Sequence, residues 1–214
     1  MNLASYIEHT VLKPDCSPQD IEQACKEAIL RGYAAVCVPP FYVKQAAGLL
    51  EGEKVKVATV IGFPLGYTTT PAKVEEIKKA IEDGADEVDA VANVCAVKSG
   101  NWNFVANDID SMATAAHLKG KAIKVILETE LLTEAEITKL CKAAIEAQAD
   151  FVKASTGFNG QGASLEVVRL LKKVAGNKLK VKAAGNIQNR LDAERFIDAG
   201  AQRIEHLLGQ PAIG

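Results

Sequence analysis

Hydrophobic positions along the chain follow two alternating periods. Short runs rich in valine, isoleucine and alanine are each followed by a longer stretch in which apolar residues recur with helical spacing. The short runs predict strands at residues 6–10, 34–38, 55–62, 87–93, 123–129, 151–155, 179–185 and 203–207. The longer stretches predict amphipathic helices, among them 17–31, 72–83, 133–148, 164–175 and 189–199. The pattern therefore predicts a strand–helix unit that repeats along the chain.

The predicted elements begin and end at recurring residue types. Gly32, Gly84, Gln148 and Gly200 each stand between a helical stretch and the next β-branched run. Glycine is the preferred residue just past a helix, because it adopts the left-handed conformation without strain. Two predicted helices open with a hydroxyl residue and an acidic residue three positions later, typical of a capping box: Ser17 with Asp20, and Thr133 with Glu136.

Strict strand–helix alternation implies parallel strands joined by right-handed crossovers. Eight strands in 214 residues give about 27 residues per unit, which suits a compact (β/α)8, or TIM, barrel. A doubly wound open sheet uses the same alternation and stays open as an alternative. No linker-like segment interrupts the pattern, so we predict a single α/β barrel domain over residues 1–214.

The composition argues against several classes of function. The formal charge is −2 and the pI about 6.0, which argues against nucleic acid as a partner. No apolar run is long enough to span a bilayer, and the first residues do not resemble a signal peptide. Five cysteines without C-x-x-C spacing and three unpaired histidines predict reduced thiols, a cytoplasmic location and no metal site.

The alternation of side chains along strands places charged residues inside the predicted barrel. In 151–155 the flanking Val152 and Ala154 suit the face toward the helices, so Lys153 points inward. The same argument places Lys182 and Asp89 inside. Burying charges on three strands is unfavourable unless they pair or take part in chemistry.

A lysine is a poor nucleophile near neutral pH because only roughly 0.04% of a free lysine is uncharged there. Burial and a second ammonium group disfavour the charged form, and the neutral amine can then attack a carbonyl to form a Schiff base. A carboxylate and a second lysine could move the protons. On parity alone, a structural Lys–Asp ion pair with a spectator lysine is an equally good interpretation.

Six segments carry a resemblance to the deoxyribose-phosphate aldolase family, in order and with that family's spacing. They are Ile7-Glu-His-Thr-Val-Leu-Lys-Pro, Ala35-Val-Cys-Val-Pro-Pro, Val57-Ala-Thr-Val-Ile-Gly-Phe-Pro-Leu-Gly, Gly84-Ala-Asp-Glu-Val-Asp, Lys98-Ser-Gly and Phe151-Val-Lys-Ala-Ser-Thr-Gly-Phe. The resemblance implies a cofactor-free class I aldolase that reversibly cleaves 2-deoxyribose 5-phosphate to acetaldehyde and glyceraldehyde 3-phosphate. It implies that Lys153 is the Schiff-base lysine, Lys182 the second lysine that favours its neutral form, and Asp89 the proton-relay carboxylate.

The chain departs from the family pattern where that family binds phosphate. The strand-seven segment reads Lys182-Ala-Ala-Gly-Asn-Ile-Gln, without the family's hydroxyl, second glycine and arginine. The strand-eight segment reads Ile204-Glu-His-Leu-Leu-Gly, where the family has glycine, a small residue and serines. Glu205 adds negative charge, and Leu207 and Leu208 offer no side-chain donor. We expect a preference for non-phosphorylated aldehydes, although a loop lysine and a helix cap could still hold phosphate. Such remodelling fits a natural or an engineered family member.

Further residues complete the predicted site. The expected substrate-binding residues are Thr10, Cys37, Lys124, Thr156, Gly157, Gly185, Asn186, Glu205, Leu207 and Leu208. Lys124 and Glu128 share one face of the fifth strand and either line the site or form an ion pair at the bottom of the barrel, and strand parity sends His206 outward. Two other functions stay open: an iminium catalyst of conjugate additions, or a catalytically retired barrel that only binds. The expected partners are small aldehydes, and a homodimer is left open.

Overall fold

Eight parallel strands form a closed barrel in which each strand pairs with its sequence neighbours and the last pairs with the first. The protein is described from a computed structural model, over residues 2–160, 162–185 and 187–211. The strands are β1 Ile7–Thr10, β2 Ala35–Val38, β3 Lys56–Ile61, β4 Glu87–Val91, β5 Ala122–Ile126, β6 Phe151–Lys153, β7 Lys180–Ala183 and β8 Arg203–Leu207. The predicted barrel is confirmed, and the open-sheet alternative is wrong.

Helices surround the barrel and follow the strands in order. They are α1 Pro18–Arg31, α2 Val43–Leu49, α3 Thr70–Glu82, α4 Val94–Lys98, α5 Trp102–His117, α6 Glu134–Glu146, α7 Leu165–Ala175 and α8 Arg190–Asp198. Short 3-10 turns occupy Leu3–Tyr6, Pro40–Tyr42 and Thr129–Leu131. In the part of the chain that the structure describes, no helix has the length and apolar character needed to cross a membrane.

The predicted helix boundaries have the expected local causes. Both capping boxes form, with the Ser17 and Thr133 side chains accepting from the backbone of the acidic residue three positions later. The four residues of the recurring helix–strand junction all have positive φ, including the non-glycine Gln148 at 56°. Local sequence thus determines where several helices stop and the next strand starts.

The two faces of the strands have different compositions, as the alternation predicted. Val88, Val152 and Val181 belong to the apolar core between the barrel and its helices. The opposite face points into the barrel, where Asp89 lies beside Lys124 on β5 and Lys153 lies beside Lys182 on β7 in register. The barrel interior therefore contains a stack of charged side chains beside a small apolar cluster of Cys37, Ala58 and Val60, and the main apolar core lies outside the barrel.

Candidate active site

The lower part of the barrel interior is filled by an ion network of four cations and four carboxylates. Its members, all at most 8% exposed, are Glu8, Glu87, Asp89, Lys124, Lys153, Lys182, Arg203 and Glu205. They come from six strands, since β4 and β8 supply two each. The charges balance, so the network can be buried without an unpaired ion, which would be strongly unfavourable.

Lys124 lies at the centre of this network. Its Nζ is 2.6 Å from Glu87, 2.8 Å from Asp89 and 3.4 Å from Glu8. Burial alone would lower the pKa of Lys124, but these three carboxylates raise it well above its usual range. The alternative Lys124–Glu128 ion pair is wrong, because Glu128 lies beyond the end of β5, where strand parity no longer holds.

Lys182 is held by two carboxylates on opposite sides of the barrel. It donates to Asp89 Oδ2 at 2.7 Å and makes a short contact with Glu8. Burial would lower its pKa, but Asp89 and Glu8 raise it well above the ordinary lysine value. Lys182 is therefore a fixed positive charge near neutral pH.

Lys153 lies at the upper edge of the network and contacts two carboxylates. Its Nζ donates to Glu205 Oε1 at 2.7 Å and lies 3.5 Å from Asp89 Oδ2. The same Asp89 oxygen accepts from Lys182, so the two ammonium groups are close neighbours. The structure thus brings together the three residues that the sequence predicted as catalytic, and adds Glu205 to them.

The pKa values of Glu87 and Asp89 are lowered by the cations of the network. Burial would raise the pKa of Glu87, but Lys124 and other cations outweigh it and lower the pKa to about 2. Burial likewise opposes ionisation of Asp89, yet Lys124, Lys182 and Lys153 hold its pKa well below the usual range. A carboxylate whose pKa is lowered in the folded state stabilises the fold only while it is ionised. The free energy of unfolding should therefore decrease as the pH falls from about 4.5 toward 2.

A cavity of about 700 Å³ lies at the carboxyl ends of β1, β6, β7 and β8. In TIM barrels this end carries the active site. Lys153 is fully buried and is not part of its lining, but it donates to Glu205, which lines the cavity. Seven of the predicted substrate-binding residues line the cavity: Thr10, Thr156, Gly157, Gly185, Glu205, Leu207 and Leu208. Cys37 and Lys124 are fully buried and are not part of this lining, and Asn186 lies outside the described residues.

The loop that follows Lys153 is held by Glu128, for which the sequence left two roles open. Glu128 accepts from the Ser155 hydroxyl and the Thr156 backbone N–H, both at 3.0 Å, and from Asn159 at 2.8 Å. Its own backbone is left-handed, with φ of 57°. Glu128 therefore positions the cavity wall formed by residues 155–159. The sequence feature that indicates a role for Glu128 is its position just past the end of a predicted strand, where the site residues of barrels lie.

The cavity wall offers little to an anion. Of its described charged lining residues, Asp15, Asp20 and Glu205 are acidic and only Lys13 is basic. The backbone N–H groups of residues 207 and 208 are already used, by the Gln210 side chain at 3.1 Å and by the carbonyl of Thr10 at 2.9 Å. Donors that could hold a phosphate at the end of β8 are therefore occupied within the protein.

A second cavity of about 860 Å³ adjoins the first at the ends of β2 and β3. Leu12 lies on the wall of both cavities. The second cavity has aromatic walls, since Phe41 and Tyr67 line it while remaining 86% and 62% exposed. Phe63 on the same wall packs edge-on against Phe158 of the first cavity, with ring centroids 5.2 Å apart. The mouth of the barrel thus contains the first cavity, next to the ion network, and a second cavity with aromatic walls.

Two other features, His206 and a possible cation-binding cluster, are not assigned a role in the reaction. His206 points outward, as predicted, and stacks on His9 with ring centroids 5.1 Å apart.

Glu8, Cys37 and Asp89 have ligand atoms close enough together to surround a cation. Lys124 and Lys182 already neutralise the two carboxylates, however, and burial raises the pKa of the Cys37 thiol far above its usual range. In this cluster the lysine ammonium groups therefore supply the positive charge that a metal ion would otherwise supply.

Comparison with known proteins identifies the family of this chain. The family described as DeoC/LacD family aldolase matches residues 3–205. A deoxyribose-phosphate aldolase of Thermococcus gammatolerans is 52% identical, covering 95% of this chain and 92% of that protein. One from Streptococcus mutans is 48% identical, covering 95% and 92%. The chain belongs to the DeoC/LacD aldolase family.

Solved structures agree with this membership. The structure described as QR15, an aldolase, superposes with a TM-score of 0.90 at 43% identity, covering 95% of this chain and 90% of that one. A deoxyribose phosphate aldolase from Aeropyrum pernix, described as a unique tetramer, superposes with a TM-score of 0.89 at 33% identity, covering 95% and 86%. The protein is thus an aldolase, a carbon–carbon lyase of the class that works through a lysine Schiff base.

The ion network of this aldolase makes a testable contribution to stability. Replacing Lys124→Met leaves Glu87 and Asp89 buried without their central cation, and breaking a buried ion pair in this way costs about 3–5 kcal/mol. Lys56 offers a matched control, because it also pairs with Glu87, at 3.3 Å, but is 54% exposed. Lys56→Met should cost less than about 1 kcal/mol.

Chemical denaturation at pH 7 measures both changes. Equal losses of unfolding free energy in the two variants would contradict a role for burial in this network.

Proposed function

We propose that Lys153 is the nucleophile of a deoxyribose-phosphate aldolase-type reaction. The observation that carries the proposal is the pair of contacts that its Nζ makes: it forms an ion pair with Glu205, which lines the 700 Å³ cavity, and it shares Asp89 with a second lysine. The names of the relatives supply the substrate, 2-deoxyribose 5-phosphate, and its cleavage gives acetaldehyde and an acceptor aldehyde.

The network contributes to each stage of this reaction. The neutral amine of Lys153 attacks the aldehyde carbonyl, and loss of water gives an iminium ion. A base removes the proton of the substrate's C3 hydroxyl, the C2–C3 bond breaks, and the acceptor aldehyde leaves. The remaining enamine takes a proton on carbon and is hydrolysed. Asp89 and Lys182 touch one another beside Lys153, which suits them to carry these protons.

Trapping of the Schiff base tests this proposal. Borohydride added in the presence of acetaldehyde should fix an ethyl group on Lys153, seen as a mass gain in its peptide. Lys73 is an internal control, because it is equally buried and paired with Asp108 at 2.8 Å but lies outside the barrel interior. A catalytically retired barrel would show no mass gain on Lys153.

We further propose that the preferred acceptors are aldehydes without a phosphate. The acidic majority among the charged lining residues and the occupied backbone donors at the end of β8 support this preference. Leu207 and Leu208 would contact an uncharged acceptor tail. An iminium catalyst of conjugate additions would use the same lysine, and competition assays with enals would distinguish it.

Location and assembly are also proposals. All five cysteines carry free thiols, which favours a reducing compartment such as the cytoplasm. The relative from Aeropyrum pernix is described as a tetramer, which supports self-association of this chain. A homodimer stays a prediction, and light scattering measures it.

Lys182 provides a test of the electrostatic part of the proposal. Lys182→Leu removes a fixed positive charge and leaves Asp89 and Glu8 less compensated. The ammonium form of Lys153 is then favoured, so the rising limb of the pH–rate profile should move up by about one pH unit or more, and the rate at pH 7 should fall at least about tenfold.

The control is Lys182→Arg, which keeps the charge and should move the limb less. An unchanged profile in the leucine variant would contradict the role given to Lys182.

A further inference from the structure

Schiff-base formation at Lys153 requires a group that first takes a proton and later returns one. The ammonium must lose a proton before it attacks, and the hydroxyl of the carbinolamine must gain one before it leaves as water. Two carboxylates lie near the nitrogen. Glu205 Oε1 is at 2.7 Å, within hydrogen-bond distance, whereas Asp89 Oδ2 is at 3.5 Å.

Asp89 is the weaker proton acceptor of the two. Its oxygens also face Lys124 at 2.8 Å and Lys182 at 2.7 Å, so three ammonium groups stabilise it as an anion. A carboxylate surrounded in this way gains little from a proton. Among the described residues, Glu205 has only the Lys153 ammonium within ion-pair distance.

Glu205 also has the access that an acid–base group needs. It is only 5% exposed, yet it is part of the wall of the 700 Å³ cavity. Glu205 is therefore in contact with the reacting nitrogen of Lys153 and also borders the space in which an aldehyde would be held. Leu207 and Leu208 lie on the same wall.

We propose that Glu205 is a catalytic acid–base residue of this aldolase, and the proposal rests on Lys153 being the nucleophile. The Glu205 carboxylate takes one proton from the Lys153 ammonium. The amine attacks the aldehyde carbon, and its second proton passes to the oxygen, forming a neutral carbinolamine. Glu205 returns its proton to the hydroxyl as the C–O bond breaks, giving water, the iminium ion and the carboxylate.

The sequence agrees with a specialised role at this position. The resemblance described above implies a glycine at this position, with no side chain to reach the lysine, whereas this chain has a carboxylate that accepts a hydrogen bond from Lys153. The residue that makes the phosphate region acidic is thus the same residue that contacts the nucleophile.

Rapid-quench borohydride trapping with acetaldehyde tests the assignment, because it measures Schiff-base formation alone. We expect Glu205→Gln, which keeps the size of the side chain but cannot carry the proton, to slow labelling of Lys153 at least about 100-fold. Glu205→Asp should recover part of the rate. Glu205→Ala should be slow, and added formate should raise its rate at least about tenfold by replacing the missing carboxylate.

The matched control is Glu51→Gln, which removes one exposed carboxylate at the opposite end of the barrel and should label at the wild-type rate. A Glu205→Gln protein that labels Lys153 within threefold of wild type, or a Glu205→Ala protein that formate does not accelerate, would overturn the role of Glu205 while leaving the nucleophile established. Absence of label on Lys153 in the wild-type protein would instead overturn the proposed function itself. Circular dichroism of each variant confirms that it is folded.

Discussion

Replacing Lys153→Leu should abolish aldol cleavage while leaving the barrel folded. The amine supplies the covalent bond to the substrate, so turnover should fall at least about 1,000-fold. Lys13 lines the cavity but is not part of the ion network around Asp89 and Glu205, so it should not replace Lys153. Leucine has approximately the volume of the lysine stem. The released Glu205 borders the cavity and can reach water there, which limits the cost of removing its partner.

Lys153→Arg separates the chemistry from the charge. Arginine keeps a cation beside Glu205 and Asp89 but remains protonated in proteins, so it forms no Schiff base. We expect this variant to be as inactive as the leucine variant and closer to wild type in unfolding free energy. Retention of more than a tenth of the activity in either variant would show that Lys153 is not the nucleophile.

Strand parity explains why the core of the site could be predicted from sequence. Side chains alternate strictly between the helix face and the barrel interior, so apolar neighbours such as Val152 reveal the direction of Lys153. The same rule places Glu87 two residues before Asp89 and Arg203 two residues before Glu205, each on the interior face. The charged stack was therefore encoded in a local pattern.

The pairing within the stack could not be obtained in this way. Parity gives the direction of a side chain but not which cation faces which carboxylate across the barrel, because that depends on strand register and on rotamers. Glu205 is the clearest case: the sequence indicated only a negative charge near the phosphate region, whereas the structure bonds it to Lys153. The contacts of Glu128 could not be predicted either, since it lies where the strand has ended and the backbone turns left-handed.

Phosphate recognition is the second property in which a large effect is expected. A carboxylate close to a phosphate dianion costs about 1–4 kcal/mol at effective dielectric constants between those of a protein surface and water. Side chains without donors at Leu207 and Leu208 add to this cost. We therefore expect a roughly 100-fold disadvantage for the phosphorylated substrate, equivalent to about 2.7 kcal/mol.

The combined change of Glu205→Gly, Leu207→Ser and Leu208→Ser should reverse this preference. Glycine removes the negative charge, and the two serines supply hydroxyl donors at the end of β8. The measurement is kcat/KM for 2-deoxyribose 5-phosphate and for 2-deoxyribose in each protein. The phosphate is carried on C5 of the sugar and the Schiff base forms at C1, so the part of the change that is due to the two serines should appear mostly in KM.

Comparing the two substrates within one protein isolates phosphate recognition from the loss of catalysis. If Glu205 also carries a proton for Lys153, its removal slows both substrates by the same factor, and that factor cancels in the ratio of their kcat/KM values. The double change Leu207→Ser with Leu208→Ser keeps Glu205 and should move the ratio part of the way without that loss. A wild-type protein that already cleaves the phosphorylated sugar much faster than the plain one, with inorganic phosphate competing at millimolar concentration, would show that the acidic wall of the cavity does not exclude the anion.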